Sequence, residues 1–158
     1  MRLSRRRYIT ALGGVAGVAL AGCSSGGDAD RTTYDAESVS APSEVSDYVS
    51  DSSNFEGEMV DLTGREEVEV MVGTQGNGGY RAFGPPAIQI STGTTVVWEW
   101  TGRGSAHNVR SDGSGPLQSS LTSEEGNTYE YTFEESGTFL YVCTPHQMQG
   151  MKGAVVVE

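Results

Sequence analysis

The sequence predicts an all-β sandwich of two packed sheets. From about Glu66 to Val157 the apolar residues recur with period two. Glycine-containing turns such as Ser91-Thr92-Gly93 and Ser136-Gly137 separate the runs, and no long amphipathic helical pattern interrupts them. No internal repeat is present.

Taken in order, Val45, Tyr48 and Val49 are spaced i, i+3, i+4 after Pro42-Ser43, which predicts a short helix or turn capped by Ser43. Val68, Val70 and Val72 then alternate with Glu67, Glu69 and Met71. Ala87 to Ile90 is a second short run, entered through Gly84-Pro85-Pro86. Thr94 to Trp100 places Val96, Trp98 and Trp100 on one face, where both tryptophans are expected in the core. Asn127 to Phe133 turns Tyr129, Tyr131 and Phe133 inward. Phe139, Tyr141 and Cys143 share a face in the next strand, and Lys152 to Val157 closes the chain.

The N-terminus is expected to stand apart from this fold. Ser4-Arg5-Arg6-Arg7-Tyr8-Ile9 resembles a twin-arginine export signal, and a Gly/Ala-rich apolar run follows from Ala11 to Ala21. That run falls short of the roughly 20 apolar residues that span a bilayer. Leu20-Ala21-Gly22-Cys23 looks like a lipobox, so residues 1–22 read as a signal peptide and Cys23 as the lipidated first residue; an uncleaved anchor helix is the alternative. Either way the domain is expected outside the cell, held to its membrane. Residues 24–42 hold hardly an apolar side chain and read, with Cys23, as a disordered tether. A flexible coil of that length reaches roughly 25 Å.

The first 22 residues carry four arginines and no acid, which leaves six basic residues against 21 acidic ones, a net charge of −15. So acidic a surface excludes nucleic acid as a partner. With Lys152 as the single lysine, the composition suggests a halophile, a merely acidic mesophilic protein being the alternative.

The closing loop carries the chemistry. Cys143-Thr-Pro-His146-Gln-Met148-Gln-Gly-Met151 brings a thiol, an imidazole and thioethers into one short segment, and His107, the only other histidine, lies 36 residues upstream of the cysteine. If Cys23 is lipidated, Cys143 has no disulfide partner, and a lone thiol in an oxidising compartment invites a metal ion. Structural zinc wants four strong ligands and rarely takes a thioether. One thiolate, two imidazoles and a weak thioether form instead the donor set of a blue-copper electron-transfer site. Met151 and Met148 compete for the thioether position. Pro145 fixes φ and removes a donor, so the loop leaves the strand rigidly.

Cys143-x-Pro145-His146-x₄-Met151 with an upstream His107-Asn108 resembles the cupredoxins of the plastocyanin and amicyanin group. The wider pattern is similar to the halocyanins, blue copper proteins of halophilic archaea. The stretches that carry it are Asn54-Phe-Glu-Gly, Pro86-Ala-Ile-Gln-Ile-Ser-Thr-Gly93-Thr-Thr-Val-Val-Trp98-Glu-Trp100, His107-Asn108-Val and the run from Tyr141 onward. The resemblance implies a cupredoxin-like Greek-key sandwich over residues 43–158, with 43–64 an N-terminal extension. It implies one type 1 copper ion held by His107, Cys143, His146 and Met151, and Asn108 as the residue fastening the His107 loop to the Cys143 strand. It further implies a monomeric one-electron carrier between membrane-bound donors and acceptors, with no small-molecule substrate, whose electron leaves by the edge of His146. A copper carrier or storage module, or a relative of the electron-donor domain of copper nitrite reductases, is the alternative. The enzymes need further histidines for a second copper centre, and this chain has two in all.

Overall fold

A computed structural model describes residues 34–158. The twin-arginine segment, the lipobox and Cys23 lie outside the described residues. The elements run β1 (Ser38–Ser40), α1 (Ser43–Val49), β2 (Glu58–Asp61), β3 (Glu67–Gly76), β4 (Gly79–Gly84), β5 (Ala87–Ile90), β6 (Thr95–Trp100), β7 (Arg110–Ser111), β8 (Thr128–Thr132), β9 (Gly137–Val142) and β10 (Lys152–Val157), with a 3-10 helix at Thr144–Gln149. Two mixed sheets result, one in the order β1-β2-β5-β10-β9-β7 and one in the order β4-β3-β6-β8. β10 pairs parallel with β5 and antiparallel with β9, and β3 pairs parallel with β6, as a Greek-key sandwich requires.

The alternating residues meet between the sheets. Val68, Val70, Val72, Val96, Trp98, Trp100, Tyr141 and Cys143 are all buried there. Trp98 is the hub, with Tyr141 edge-on at 5.5 Å, Tyr129 at 5.6 Å and Phe133 at 6.5 Å between ring centroids. Such rings each remove on the order of 150–250 Å² from water, so this layer holds the sandwich together. Tyr129 and Tyr131, expected inward, are only half-buried. They sit on β8, the edge of the smaller sheet among the described residues.

A second, smaller core lies on the other side of the larger sheet. Val45 and Val49 of α1 are buried against Met59, Ala87 and Ala154. Ser43 does not cap this helix: Pro42 occupies the cap position and no side chain bonds the first turn, so Ser43 is its first residue. Glu44 there suits the positive end of the helix.

Residues 34–42, expected to be part of a tether, belong instead to the fold. β1 adds an antiparallel strand beside β2. Tyr34 does more: its hydroxyl donates to the carbonyl of Glu69 (2.7 Å) and accepts from the amide of Glu69 (2.5 Å). β4 pairs only with the stretch of β3 from Met71 on, so Glu69 stands on an open edge and Tyr34 satisfies both of its backbone groups.

β3, β6 and β9 all end, and β10 begins, at one pole of the sandwich. This follows from the parallel pairing of β3 with β6 and the Lys152–Val142 register of β10 with β9. His107, Cys143, His146 and Met151 fall at that pole.

Candidate metal centre

Cys143 follows the last residue of β9, and its amide donates to the carbonyl of Met151 (3.0 Å). From there Thr144 opens the 3-10 helix, and Pro145 behind it already matches the helical φ. Gly150 closes that turn at φ 92°, a left-handed conformation that glycine tolerates. The sequence read this segment as a loop; its helical turn is what swings His146 back over the cysteine, whose carbonyl accepts from the His146 amide (3.1 Å).

His107 arrives from between the sheets' ends. Its backbone exchanges hydrogen bonds with Thr122 (2.9 and 3.0 Å), and the buried indole of Trp100 donates to its carbonyl (3.0 Å). Its Nε2 lies 2.7 Å from the carbonyl oxygen of Arg103. A carbonyl can only accept, so Nε2 carries the proton and Nδ1 offers its lone pair.

The three donors converge. His107 Nδ1 and His146 Nδ1 are 3.1 Å apart, and Cys143 Sγ lies 3.6 Å from the first and 3.5 Å from the second. A point equidistant from three atoms so placed lies roughly 2.0 Å from each, a metal–nitrogen bond length and slightly less than a metal–sulfur one. All three side chains are buried. Two imidazole nitrogens and one soft sulfur meeting around one point at these distances fit the ion that their chemistry calls for.

Met151 is fully buried in the core cluster that contains Cys143, and its amide donates to the carbonyl of His146 (3.2 Å). Met148, its competitor, is 99% exposed, which removes it from the site. Asn108 clamps the two halves together: its Oδ1 accepts from the Thr144 amide (2.7 Å) and its Nδ2 donates to Thr144 Oγ1 (3.1 Å). Pro145 itself is exposed and acts through the backbone alone.

Several contributors carry no side-chain signature in the sequence. Gly73 makes a bulge in β3 at φ 91°, and a Cβ there would stand 2.7 Å from the Arg103 carbonyl and 3.1 Å from His107 Nε2. Gly104 lets the same loop pass against Tyr80. The Gly102-x-Gly104 spacing was the one available hint.

Electrostatics prepare the site for uptake of a cation. Burial first, then the charges of His146 and Arg81, push the His107 pKa down; the carbonyl contact of Arg103 pulls the other way. Burial and then Arg81 do the same for His146. Burial raises the Cys143 thiol, against the amides of Asn108 and His146, which favour its thiolate. At neutral pH both imidazoles are therefore already neutral, whereas the thiol still holds its proton. Copper uptake at pH 7 is expected to release about one proton per ion, with the affinity rising about tenfold per pH unit. Titration calorimetry in buffers of different ionisation enthalpy reads this directly, and release of two or more protons would contradict it.

A cysteine sulfur and two imidazoles converging at one end of a two-sheet β-sandwich define a mononuclear blue copper centre. The chain belongs to the copper binding proteins of the plastocyanin/azurin family, which its residues 68–158 match. It is 43% identical to halocyanin of Natronomonas pharaonis over 162 residues, covering 99% of this chain and 98% of that protein. It is 33% identical to plastocyanin of Scenedesmus fuscus, over 57% of this chain and all of that one. The solved structure of oxidised plastocyanin from Dryopteris crassirhizoma overlays on 58% of this chain and 100% of that chain, with 25% identity and a TM-score of 0.48. The protein is a blue copper electron-transfer protein that takes one copper ion.

Proposed function

We propose that His107, Cys143 and His146 would ligate the copper ion, with the Met151 thioether as a fourth, weaker donor. The observation that carries this is the buried triangle of Nδ1, Nδ1 and Sγ, whose dimensions suit one metal ion. Bound copper supplies a reversible one-electron couple. The chain's part is to keep the donors fixed in both oxidation states. The Trp100, Arg103 and Thr122 contacts immobilise His107, the Asn108 clamp and Pro145 hold the Cys143 loop, and burial keeps water away.

Electrons enter and leave by His146. It is the most exposed of the three donors, at 9% against 1% for His107 and 0% for Cys143. Exposed Pro145, Gln147 and Met148 surround it. The protein acts as a carrier and not as an enzyme: both histidines of the chain are already in the one centre, leaving none for a catalytic copper. Buried donors set into a braced loop favour holding copper over delivering it, which disfavours a storage role.

Its place follows from the N-terminus. The twin-arginine segment and Cys23 support export and lipid anchoring on the extracellular face of the cell membrane, in a halophilic archaeon, with membrane-bound donors and acceptors. Among the described residues no helix is long and apolar enough to cross a membrane. The domain works as a monomer.

The reading is tested by loading the purified protein with copper(II). One ion per chain, an intense visible thiolate-to-copper absorption and reversible bleaching by ascorbate are expected. A colourless protein whose Cys143 still reacts with thiol reagents would refute it.

A further inference from the structure

The described residues hold five cationic side chains against nineteen carboxylates, and four of the five cations gather at the copper pole. Arg110 and Lys152 form one row across the larger sheet, since both are in register with Val142, the residue before Cys143. Neighbouring strands are about 4.8 Å apart, so these two cations flank the cysteine strand at a separation of about 10 Å. On the other side of the site, Arg103 lends its carbonyl to His107 and lays its guanidinium over the Tyr80 ring, 4.9 Å from the centroid. Arg81 follows Tyr80 in β4, and its charge bears on both His107 and His146. Its Nε is buried without a hydrogen-bond partner.

Glu58 opens β2 level with Gly153 but two strands away from β10, and the other carboxylates at this pole are few. Asp51 is bonded to Lys152 (2.5 Å), Asp112 lies beside Arg110 in a shallow hollow, and Glu125 packs at Gly102 on the outer rim with Glu124 before it. The opposite pole reverses the balance. There Arg65 is the one described cation, among Asp61, Glu66, Glu67, Glu134, Glu135 and Glu158.

A protein this acidic repels most anionic surfaces, so cations concentrated around one face make that face a local exception. We infer that the ring of Arg81, Arg103, Arg110 and Lys152 is the docking rim for a redox protein whose own electron-exchange face is lined with carboxylates. The inference rests on His146 as the electron exit. Centring the ring on that exit brings an acidic partner's redox group to the one place where transfer is short. Exposed Met148 and Pro145 supply an apolar middle that a protein surface can cover. An anionic membrane is a poorer occupant: surface lipids attract clusters of about 4–8 basic residues at about 1 kcal/mol each, and here four are spread round a rim, with Lys152 bonded to Asp51 and Arg103 stacked on Tyr80.

Small outer-sphere oxidants separate local from net charge. The copper(I) protein is mixed with hexacyanoferrate(III), an anion, and with tris(phenanthroline)cobalt(III), a cation, over ionic strengths from about 0.01 to 1 M. The ring predicts that the hexacyanoferrate rate falls as salt rises, although oxidant and protein carry like net charge. Arg110→Glu and Arg103→Glu should each lower that rate roughly tenfold at low salt, and Arg65→Glu should leave it unchanged. A hexacyanoferrate rate that rises with salt, or an Arg65→Glu effect as large as the others, would overturn the ring. Capture of the protein by phosphatidylserine vesicles, lost in Arg110→Glu, would overturn it in favour of a membrane. Failure to react with either oxidant, or absence of the visible band, would strike the copper reading instead.

Discussion

Cys143→Ser is expected to abolish the intense visible absorption of the copper-loaded protein and to weaken copper binding by more than about 100-fold, beyond the 10–100-fold typical of losing an outer-shell partner. The absorption needs a soft, covalent thiolate; a serine hydroxyl is a hard donor that stays protonated at neutral pH. The two imidazoles remain 3.1 Å apart and can still hold a metal ion weakly, so loss of colour should exceed loss of binding. The fold should survive. Cys143 is fully buried, but serine is nearly the same size, and an unsatisfied hydroxyl costs only about 1–3 kcal/mol from comparable substitutions. His146 Nδ1, 3.5 Å from the sulfur, is also close enough to offer that hydroxyl a partner after a small shift. Circular dichroism of the copper-free variant separates the two effects: a native spectrum with no visible band is the expected pair. A variant that keeps a strong band would show that another group supplies the thiolate's role.

How much was legible beforehand depends on what each element is made of. Val68-Val70-Val72 and Val96-Trp98-Trp100 announce themselves because one face of each strand must be dry, and period two follows from that. β1 and β7 have no such face. Ser38–Ser40 and Arg110–Ser111 are short and polar, and are strands only because a neighbour offers its backbone. For the same reason residues 34–42 looked like tether: a tyrosine hydroxyl and a few backbone pairings hold them to β2 and β3, and composition cannot register either.

The copper site divides along a similar line. Its three donors were readable because side-chain chemistry at a fixed spacing is sequence information. The distance between His107 and Cys143 was not, since it is closed by the antiparallel pairing of β7 with β9 and the Asn108–Thr144 clamp. Met148 and Met151 are chemically alike, and only burial chooses between them: one is 99% exposed and the other fully buried. Least legible was the backbone around His107. The Arg103 carbonyl and the absent side chains at Gly73 and Gly104 decide where the imidazole points, yet nothing in a letter code marks a carbonyl.

Gly104→Ala tests that backbone control and is the second large effect expected. Gly104 has φ 80°, where an L-residue costs about 1–2 kcal/mol. Its added methyl would also collide with the carbonyl oxygen of Tyr80, a backbone atom that cannot rotate aside. Overpacking of this kind adds about 1–3 kcal/mol, so the total loss should be about 2–5 kcal/mol. Gly126→Ala is the matched control: its φ is 77°, but nothing lies within 4 Å of the new methyl, so it should lose only the conformational part. The two variants should differ more sharply at the metal. The Gly104 methyl would stand 2.9 Å from His107 Nε2, the nitrogen that holds the Arg103 carbonyl at 2.7 Å. Relief requires the imidazole to turn, which pulls Nδ1 out of the donor triangle. Copper affinity should therefore drop about 10–100-fold in Gly104→Ala and stay unchanged in Gly126→Ala. Urea titration of the copper-free proteins gives the stability difference, and competition with a copper chelator gives the affinities. If the two alanines destabilise equally and bind copper equally well, the glycine serves only the turn and His107 is oriented by its other contacts.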